Sequence, residues 1–237
     1  LQLLYDARNI HKQYFMDQIE QCQLISIKTG GCPEDCAYCS QSNHNDAKIE
    51  TNPLMPLHKV EAIIILAKHN GTQRICLGAA YKTPSTSALD KVCEYVKLIK
   101  KHNLEACATL GTINKNQAKK LKESGLDYYN HNIDTSPEYY SQIITTHSFA
   151  DRLATIKHVG ESGIKICCGG IIGLGESMED RISFIHALTN LPYQPSSIPI
   201  NTFVKTDGVR LKNIPDLDKL ELVRTIATIR IIFPQTR

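Results

Sequence analysis

The sequence predicts an α/β protein with parallel strands, arranged as a TIM-type (β/α)8 barrel of which about six βα units lie in this chain. Three observations predict this fold. Strand-like and helix-like segments alternate along the 237 residues, no linker or low-complexity segment interrupts them, and cysteine and polar residues fall at the carboxyl ends of the strands. A doubly wound sheet also allows six βα units in a row. We favour the barrel because a barrel places its chemistry at those strand ends.

The predicted elements follow one another in a regular order. A leading helix is predicted over residues 1–22, where apolar residues recur at helical spacing. Six predicted strands follow, recognised by short apolar or alternating runs: residues 24–29, 74–79, 104–110, 127–132, 165–171 and 197–204. A helix is predicted after each strand, and the capping residues at the helix starts include Asn114, Ser148 and Ser177. The pattern predicts a single domain over residues 1–237, truncated before strands seven and eight.

The composition excludes several classes of partner. Charged residues make up 22% of the chain and the formal net charge is only +3, which implies no large basic surface and no nucleic-acid partner. The chain contains no run of about 18 apolar residues and no signal peptide, so we expect no membrane association and a cytoplasmic location. Nine cysteines in such a chain favour metal or redox chemistry over disulfides.

Three cysteines stand close together in a loop predicted over residues 30–45. These loop cysteines are Cys32, Cys36 and Cys39, with the spacing CxxxCxxC. Thiolates are the usual ligands of iron-sulfur clusters, and three of them can hold three irons of a 4Fe-4S cube. The fourth iron is then open to bind and activate another molecule. A zinc site that recruits His44 is the alternative, although zinc modules usually combine paired CxxC or HxxxH units.

Three further cysteines, Cys76, Cys107 and Cys167, lie on three different predicted strands. Side chains two residues apart on a strand point the same way, and these strand cysteines alternate with apolar residues such as Ile75 and Leu77 that would face the helices. The three thiols can therefore converge inside a barrel and hold a second metal group. Alternatively, each is a small buried hydrophobic residue, which is the commoner role of a lone cysteine.

The fourth predicted strand and its end place Asn130, Asn132 and Asp134 on one side. Amide and carboxylate groups in this arrangement suit a polar small-molecule ligand. A capping or turn role before the next helix is the alternative for Asp134. His131 has the opposite parity, so we expect a packed histidine. The glycine-rich segment 169–176 is by itself only a weak nucleotide-binding signal.

The amino-acid sequence of the loop, CPEDCAYCSQS, has the aromatic Tyr38 directly before the last cysteine and resembles that of the radical S-adenosylmethionine (SAM) enzymes. Within them, the preceding segment ISIKTG, residues 25–30, is similar to the biotin synthase family. The segments around the three strand cysteines also look like the ligand-bearing strands of that family. The resemblance extends over about residues 3–233 and implies a radical SAM barrel that converts dethiobiotin to biotin.

The resemblance implies two iron-sulfur clusters. A 4Fe-4S cluster on the loop cysteines would bind SAM and donate an electron, so that SAM is cleaved to methionine and a 5'-deoxyadenosyl radical, which abstracts hydrogen from dethiobiotin. A 2Fe-2S cluster on the strand cysteines would supply the sulfur. Its fourth ligand in the family is an Arg on strand seven, which lies beyond Arg237. No catalytic side chain besides the cofactors is implied, because the cofactors carry the difficult step.

The resemblance also carries over ligand contacts and partners. Tyr38, Asn132, Asp134 and Arg152 are implied as contacts to SAM, and Asn132 and Asn201 as contacts to dethiobiotin. An electron-donating redox protein and a homodimer are implied as well. The alternatives are another radical SAM activity on the same barrel or an inactive truncated remnant. The strand cysteines separate the enzyme readings, because only sulfur insertion needs a second cluster there.

Overall fold

The wall of the molecule is a parallel sheet whose strands lie side by side in the order of the chain. The computed structural model describes residues 1–237. The five strands of this sheet are β1 (Cys22–Lys28), β2 (Arg74–Ala79), β3 (Glu105–Thr109), β4 (Tyr128–Asn130) and β5 (Lys165–Cys167). A doubly wound sheet reverses its strand order at a switch point, whereas a barrel keeps the order of the chain. The predicted barrel class is therefore confirmed, as part of a barrel.

Helices connect successive strands and cover one face of the wall. They are α1 (Gln2–Phe15), α2 (Leu57–His69), α3 (Thr86–Lys101), α4 (Lys115–Glu123), α5 (Tyr140–Ile143), α6 (Phe149–Glu161), α7 (Met178–Thr189) and α8 (Lys219–Ile232). Ser148 and Ser177 begin α6 and α7 with reciprocal capping boxes, in which Asp151 and Asp180 return a carboxylate to the serine N–H. These caps confirm the starts predicted for both helices. None of the helices combines the length and the apolar character needed to cross a lipid bilayer.

Two short strands, β6 (Gly170–Ile172) and β7 (Ile200–Thr202), pair in parallel and extend the wall. The N–H of Cys168 donates to the carbonyl oxygen of Ser197 over 2.9 Å, which joins this extension to β5. The fifth strand, predicted over residues 165–171, is therefore interrupted between β5 and β6. A Cβ atom on Gly169 would lie 1.9 Å from the carbonyl oxygen of Pro199, so the two backbones approach too closely for side chains.

The two faces of the wall differ in what they bury. Ile75 and Leu77 point outward into the main apolar core beneath the helices. Cys76, Cys107 and Tyr128 point the other way and form a separate buried cluster inside the barrel. The alternation predicted along β2 and β3 therefore divides the residues between the core and the barrel interior.

The leading helix is shorter than the predicted range 1–22. α1 ends at Phe15, and Met16 follows with a φ of 55°, in the left-handed region that a helix cannot continue through. β1 already begins at Cys22, so this thiol lies on a strand rather than at the end of a helix. Because Cys22 and Leu24 are two residues apart on β1, they share one face of the strand.

Candidate active site

The loop between β1 and α2 brings the three loop cysteines to the carboxyl end of β1. Gly30 has a φ of +67°, a conformation that favours glycine, and turns the chain just before Cys32. The side-chain amide of Asn45 donates to the carbonyl oxygens of Cys36 (3.0 Å) and Cys39 (2.8 Å), which folds the loop back on itself. All three loop cysteines line one cavity of about 310 Å³. Their thiols therefore open onto a common space.

Electrostatics in this loop favour neutral thiols unless a metal is bound. Burial raises the pKa of Cys32, Cys36 and Cys39 above the ordinary thiol value. Metal ligation is what would hold them as thiolates. A ring nitrogen of His44 lies 3.2 Å from the carbonyl oxygen of Pro33, and no three Cys, His, Asp or Glu side chains are gathered tightly enough for a single ion. The ring of His44 is engaged by the backbone of the loop, which does not favour the zinc alternative.

A polar group of three side chains stands beside the loop. Nη2 of Arg152 and the hydroxyl of Tyr38 each donate to Oδ2 of Asp134 over 2.8 Å. Asp134 is only 3% exposed and has a φ of +65°, a left-handed conformation that is uncommon for a residue with a side chain. Burial would lower the pKa of the Arg152 guanidinium, but Asp134, Tyr140 and Tyr38 together outweigh burial and raise that pKa. Arg152 lines the cavity itself, and Asp134 and Tyr38 lie directly behind it.

The other predicted contacts are distributed differently. Oδ1 of Asn132 accepts from the N–H of Gly169 over 3.0 Å. Asn201 lies in β7 with an exposed side chain that makes no hydrogen bond, so the structure does not bring it to the cavity. His131 is buried, as expected for a packed histidine, and burial holds its pKa well below the ordinary value. Its Nε2 has no hydrogen-bond partner, and the residue lines the cavity, which parity alone did not predict.

The strand cysteines lie deeper in the barrel. Cys76 and Cys107 are register partners on β2 and β3, with their Sγ atoms 3.2 Å apart. Cys167 pairs with Asn130, whose amide nitrogen lies 3.3 Å from its Sγ. Burial, with a further contribution from Cys107, raises the pKa of Cys167 to about 11. The structure therefore brings two strand cysteines into contact and places the third on the same inner face, farther along the wall.

Charged groups form a floor beneath the strand cysteines. Arg74 lies over the ring of Tyr128, with Cζ 3.7 Å from the ring centroid, and its Nη2 is 2.6 Å from Oε2 of Glu105. Cys22 pairs with Arg74 across β1 and β2. Its pKa is raised to about 11, first by burial and then by Cys107. Cys22 is exposed, and the sequence was interpreted as placing a spare thiol there, just beyond the leading helix, rather than a strand residue paired with Arg74.

Several cavity residues were also missed. Glu34, Lys82 and His147 line the cavity beside the loop cysteines, and Nζ of Lys82 lies 3.8 Å from Oε1 of Glu34. Two signals were available. Glu34 stands between two loop cysteines, and Lys82 follows the carboxyl end of β2, where a barrel places its chemistry. His147 carries no comparable signal, because it lies in a turn between two helices.

Comparisons with known proteins agree with this arrangement. Residues 26–188 match the family model of the radical SAM superfamily, and residues 199–237 match the Biotin and Thiamin Synthesis associated domain. A solved methylornithine synthase superposes with a TM-score of 0.88 at 20% identity, covering 99% of this chain and 68% of that one. The FeFe-hydrogenase maturase HydG from Carboxydothermus hydrogenoformans superposes with a TM-score of 0.86 at 18% identity, covering 99% and 56%. The fold and the cysteine loop thus define a radical SAM enzyme, a class that implies SAM and one 4Fe-4S cluster.

Curated relatives narrow this class. The biotin synthase of Acidithiobacillus ferrooxidans is 47% identical over 98% of this chain and 74% of its own length. That of Acinetobacter baumannii is 48% identical over 100% and 72%, and that of Bordetella pertussis 47% identical over 99% and 70%. The chain belongs to the biotin synthase family. The predicted family and enzyme class are confirmed.

Proposed function

We propose that this chain converts dethiobiotin to biotin by sulfur insertion, with two iron-sulfur clusters on its two sets of cysteines. The observation that carries the proposal is the presence of two thiol sets in different parts of the barrel. The loop cysteines open on the cavity, and the strand cysteines lie on the inner face of the wall. A radical SAM enzyme that only generates a radical needs the first set alone. The second set is what sulfur insertion would use.

The loop cysteines are proposed to hold the 4Fe-4S cluster. Three thiolates would satisfy three irons of the cluster and would leave the fourth iron without a protein ligand, free to bind another molecule. When bound, SAM and the 4Fe-4S cluster would supply the radical, and the 2Fe-2S cluster would supply the sulfur atom. The contribution of the loop is to fix three thiols at the rim of a confined cavity. Asn45, through its hydrogen bonds to two of the cysteine carbonyl groups, keeps the loop in this shape.

Arg152, Asp134, Tyr38 and Asn132 are proposed to bind SAM. A guanidinium can only donate hydrogen bonds and carries a fixed positive charge, so Arg152 suits the carboxylate of the methionine part of SAM. A carboxylate can only accept, so Asp134 suits a ribose hydroxyl or an amino group. Tyr38 offers an aromatic face beside them for the adenine ring. The contact between Arg152 and Asp134 supports this assignment because it pairs opposite charges, with Arg152 at the cavity wall and Asp134 directly behind it.

The strand cysteines are proposed to hold the 2Fe-2S cluster. Their donor set is all thiol, which is the usual ligand chemistry of such clusters. The contact with Cys76, followed by burial, raises the pKa of Cys107, and burial raises the pKa of Cys167, so metal binding would have to keep these thiols ionised. Arg74 supports the assignment because its buried positive charge below the cysteines would offset the negative charge of a thiolate-bound cluster.

The substrate and the further partners follow from the same proposal. Dethiobiotin carries a cyclic urea with N–H donors and a carbonyl acceptor, and asparagine amides can pair with both. Asn132 follows β4 two residues after Asn130, whose amide contacts Cys167, and is proposed to bind this urea. Asn201 is proposed as a second contact, which requires its exposed side chain to close over the substrate. The family resemblance supports a homodimer and an electron-donating redox protein as partners.

Anaerobic reconstitution tests the function. The chain would be loaded with iron and sulfide, and iron content, visible absorption, SAM cleavage and biotin formation from dethiobiotin would be measured. We expect about six irons per chain, with Cys32→Ser losing the 4Fe-4S part and Cys107→Ser losing the 2Fe-2S part. Cys107→Ser should also lose biotin formation. Cys93→Ser is the matched control, since Cys93 is buried in the outer core and should leave both clusters intact.

Two results would contradict the proposal. Biotin formation by Cys107→Ser would remove the strand cysteines from the reaction. SAM cleavage without any biotin from the fully loaded chain would favour another radical SAM activity. If the chain bound no iron and cleaved no SAM, the result would support the inactive remnant instead.

A further inference from the structure

A line of hydrogen bonds between almost fully buried side chains runs along the cavity wall from Arg152 to the cysteine loop, and Tyr140 lies behind that wall. Nε of Arg152 donates to the hydroxyl oxygen of Tyr140 over 2.8 Å. That hydroxyl is 2.8 Å from Nε2 of His147, and Nδ1 of His147 is 2.6 Å from Oε2 of Glu34. Tyr140, His147 and Glu34 are 3%, 9% and 5% exposed, so water does not compete for these bonds.

For a neutral His147 ring that donates to the carboxylate of Glu34, one arrangement of protons forms every bond in this line. Arg152 can only donate, so the oxygen of Tyr140 accepts, and the single hydroxyl proton is directed to Nε2 of His147. Nε2 must therefore be unprotonated, and the ring proton sits on Nδ1 and is donated to the carboxylate of Glu34. Burial, followed by the positive charge of Arg152, lowers the pKa of His147, which agrees with a neutral ring.

The two ends of the line belong to different parts of the site. Glu34 stands between the first two loop cysteines in sequence. Arg152 uses its other nitrogen to bind Asp134 over 2.8 Å. The ring of Tyr140 is held edge-on against His147 and Phe149, with centroid distances of 6.0 and 5.5 Å, so its hydroxyl has little freedom to leave the line. The side chain that faces SAM and the loop that holds the first cluster are thus mechanically connected.

We propose that Tyr140, His147 and Glu34 are positioning residues that fix the guanidinium of Arg152 relative to the cysteine loop and thereby set the affinity for SAM. The inference rests on the proposed contact between Arg152 and SAM. None of the three residues touches the cysteine sulfurs through this line. They act through Arg152, whose side chain would otherwise choose among several rotamers in the cavity.

The test uses the anaerobically reconstituted protein and measures the dissociation constant of SAM from its effect on the electron paramagnetic resonance signal of the reduced 4Fe-4S cluster. Tyr140→Phe removes one oxygen from the line and should weaken SAM binding about tenfold. His147→Phe should do the same. The double variant should be no weaker than either single variant, because both changes break the same line. In Tyr140→Phe, which does not change a residue of the cavity lining, turnover at saturating SAM should be preserved, so the KM for SAM rises while kcat changes little.

Matched variants separate positioning from general structural damage. Tyr139→Phe removes a neighbouring hydroxyl that donates to the carbonyl oxygen of Leu174 over 3.1 Å, outside the line, and should leave SAM affinity unchanged. Glu34→Gln keeps an acceptor for Nδ1–H and should stay within about twofold of the original affinity, whereas Glu34→Leu should match Tyr140→Phe. Unfolding by urea reports any loss of stability in each variant independently of SAM.

The outcomes are distinguishable. An unchanged SAM affinity in Tyr140→Phe, or a double variant weaker by the product of the two single effects, would overturn the inference. Arg152→Met serves as the reference for the proposed function. If it also leaves SAM affinity unchanged, the assignment of Arg152 to SAM is wrong and the positioning role falls with it. If Arg152→Met weakens binding while Tyr140→Phe does not, only the positioning role is refuted.

Discussion

Replacing Arg152 by methionine should destabilise the folded chain strongly, because it leaves a buried carboxylate with one donor. Oδ2 of Asp134 accepts from Nη2 of Arg152 and from the hydroxyl of Tyr38, both over 2.8 Å. The side chains of Asp134 and Arg152 are 4% and 12% exposed. Methionine is similar in length but carries no charge and no donor, so the hydroxyl of Tyr38 would remain as the single partner.

The magnitude follows from the cost of an unpaired buried charge. Removing one partner of a buried ion pair typically destabilises a protein by about 3–5 kcal/mol. For a domain of this size, 1 kcal/mol corresponds to roughly 2–4 °C in melting temperature, so Arg152→Met should lower Tm by roughly 6–20 °C. Asp134→Asn leaves the guanidinium unpaired instead and should also be destabilising. The double variant removes both charges and should recover much of the loss, with a coupling energy of about 2 kcal/mol.

The assay is equilibrium urea unfolding of four proteins: the original chain, each single variant and the double variant. Lys205→Met is the matched control. It breaks an ion pair with Asp216 at 2.6 Å, but there the carboxylate is 88% exposed, so the unfolding midpoint should hardly move. The reasoning predicts that burial gives this ion pair its effect on stability. It would be refuted if the losses of unfolding free energy in the two single variants simply added in the double variant, or if the loss in Arg152→Met were no larger than in the control.

Two further predictions concern His131 and Gly169. The pKa of His131 is lowered by burial and by the charge of Arg152, so the folded chain excludes a proton that the unfolded chain takes up below about pH 6.5. The free energy of unfolding should therefore fall as the pH drops below about 6.5, and His131→Phe should reduce that fall in urea titrations at pH 8 and pH 6. An identical pH dependence in both proteins would contradict this. Gly169→Ala should lower the urea midpoint far more than Gly71→Ala, because the new Cβ would lie 1.9 Å from the carbonyl oxygen of Pro199, whereas at Gly71 nothing lies within 4 Å and alanine meets only the cost of a φ of +82°. Equal losses would show that the close approach at Gly169 relaxes easily.

Features with a local period could be predicted from the sequence. Alternation along β2 separated Cys76 from Ile75 and Leu77, and the structure buries the first inside the barrel and the others beneath the helices. The capping boxes at Ser148 and Ser177 are equally local, since each involves residues three positions apart. Such features are fixed by neighbouring residues, which is why a single sequence was enough.

Features that join distant parts of the chain could not be predicted this way. Glu34 and His147 are 113 positions apart, and no periodicity connects a loop residue to a turn residue at that distance. The end of α1 at Phe15 was missed for a different reason. The apolar spacing beyond it does not show that Met16 takes a left-handed conformation, so the start of β1 at Cys22 was also missed.

The chain is irregular beyond β4 and at the start of β6, and a single close backbone contact between these two segments explains the glycine at residue 170. Asp134 turns through a left-handed conformation beyond β4, and its carbonyl oxygen accepts from the N–H of Ile171 over 2.8 Å. A Cβ atom on Gly170 would lie 2.5 Å from that same oxygen. The glycine is therefore needed for the backbone to come close enough to hold the turn, rather than to cradle a phosphate. Because the turn aims the carboxylate of Asp134 at Arg152, a side chain at residue 170 should displace the ion pair beside the cavity even though this residue does not line it.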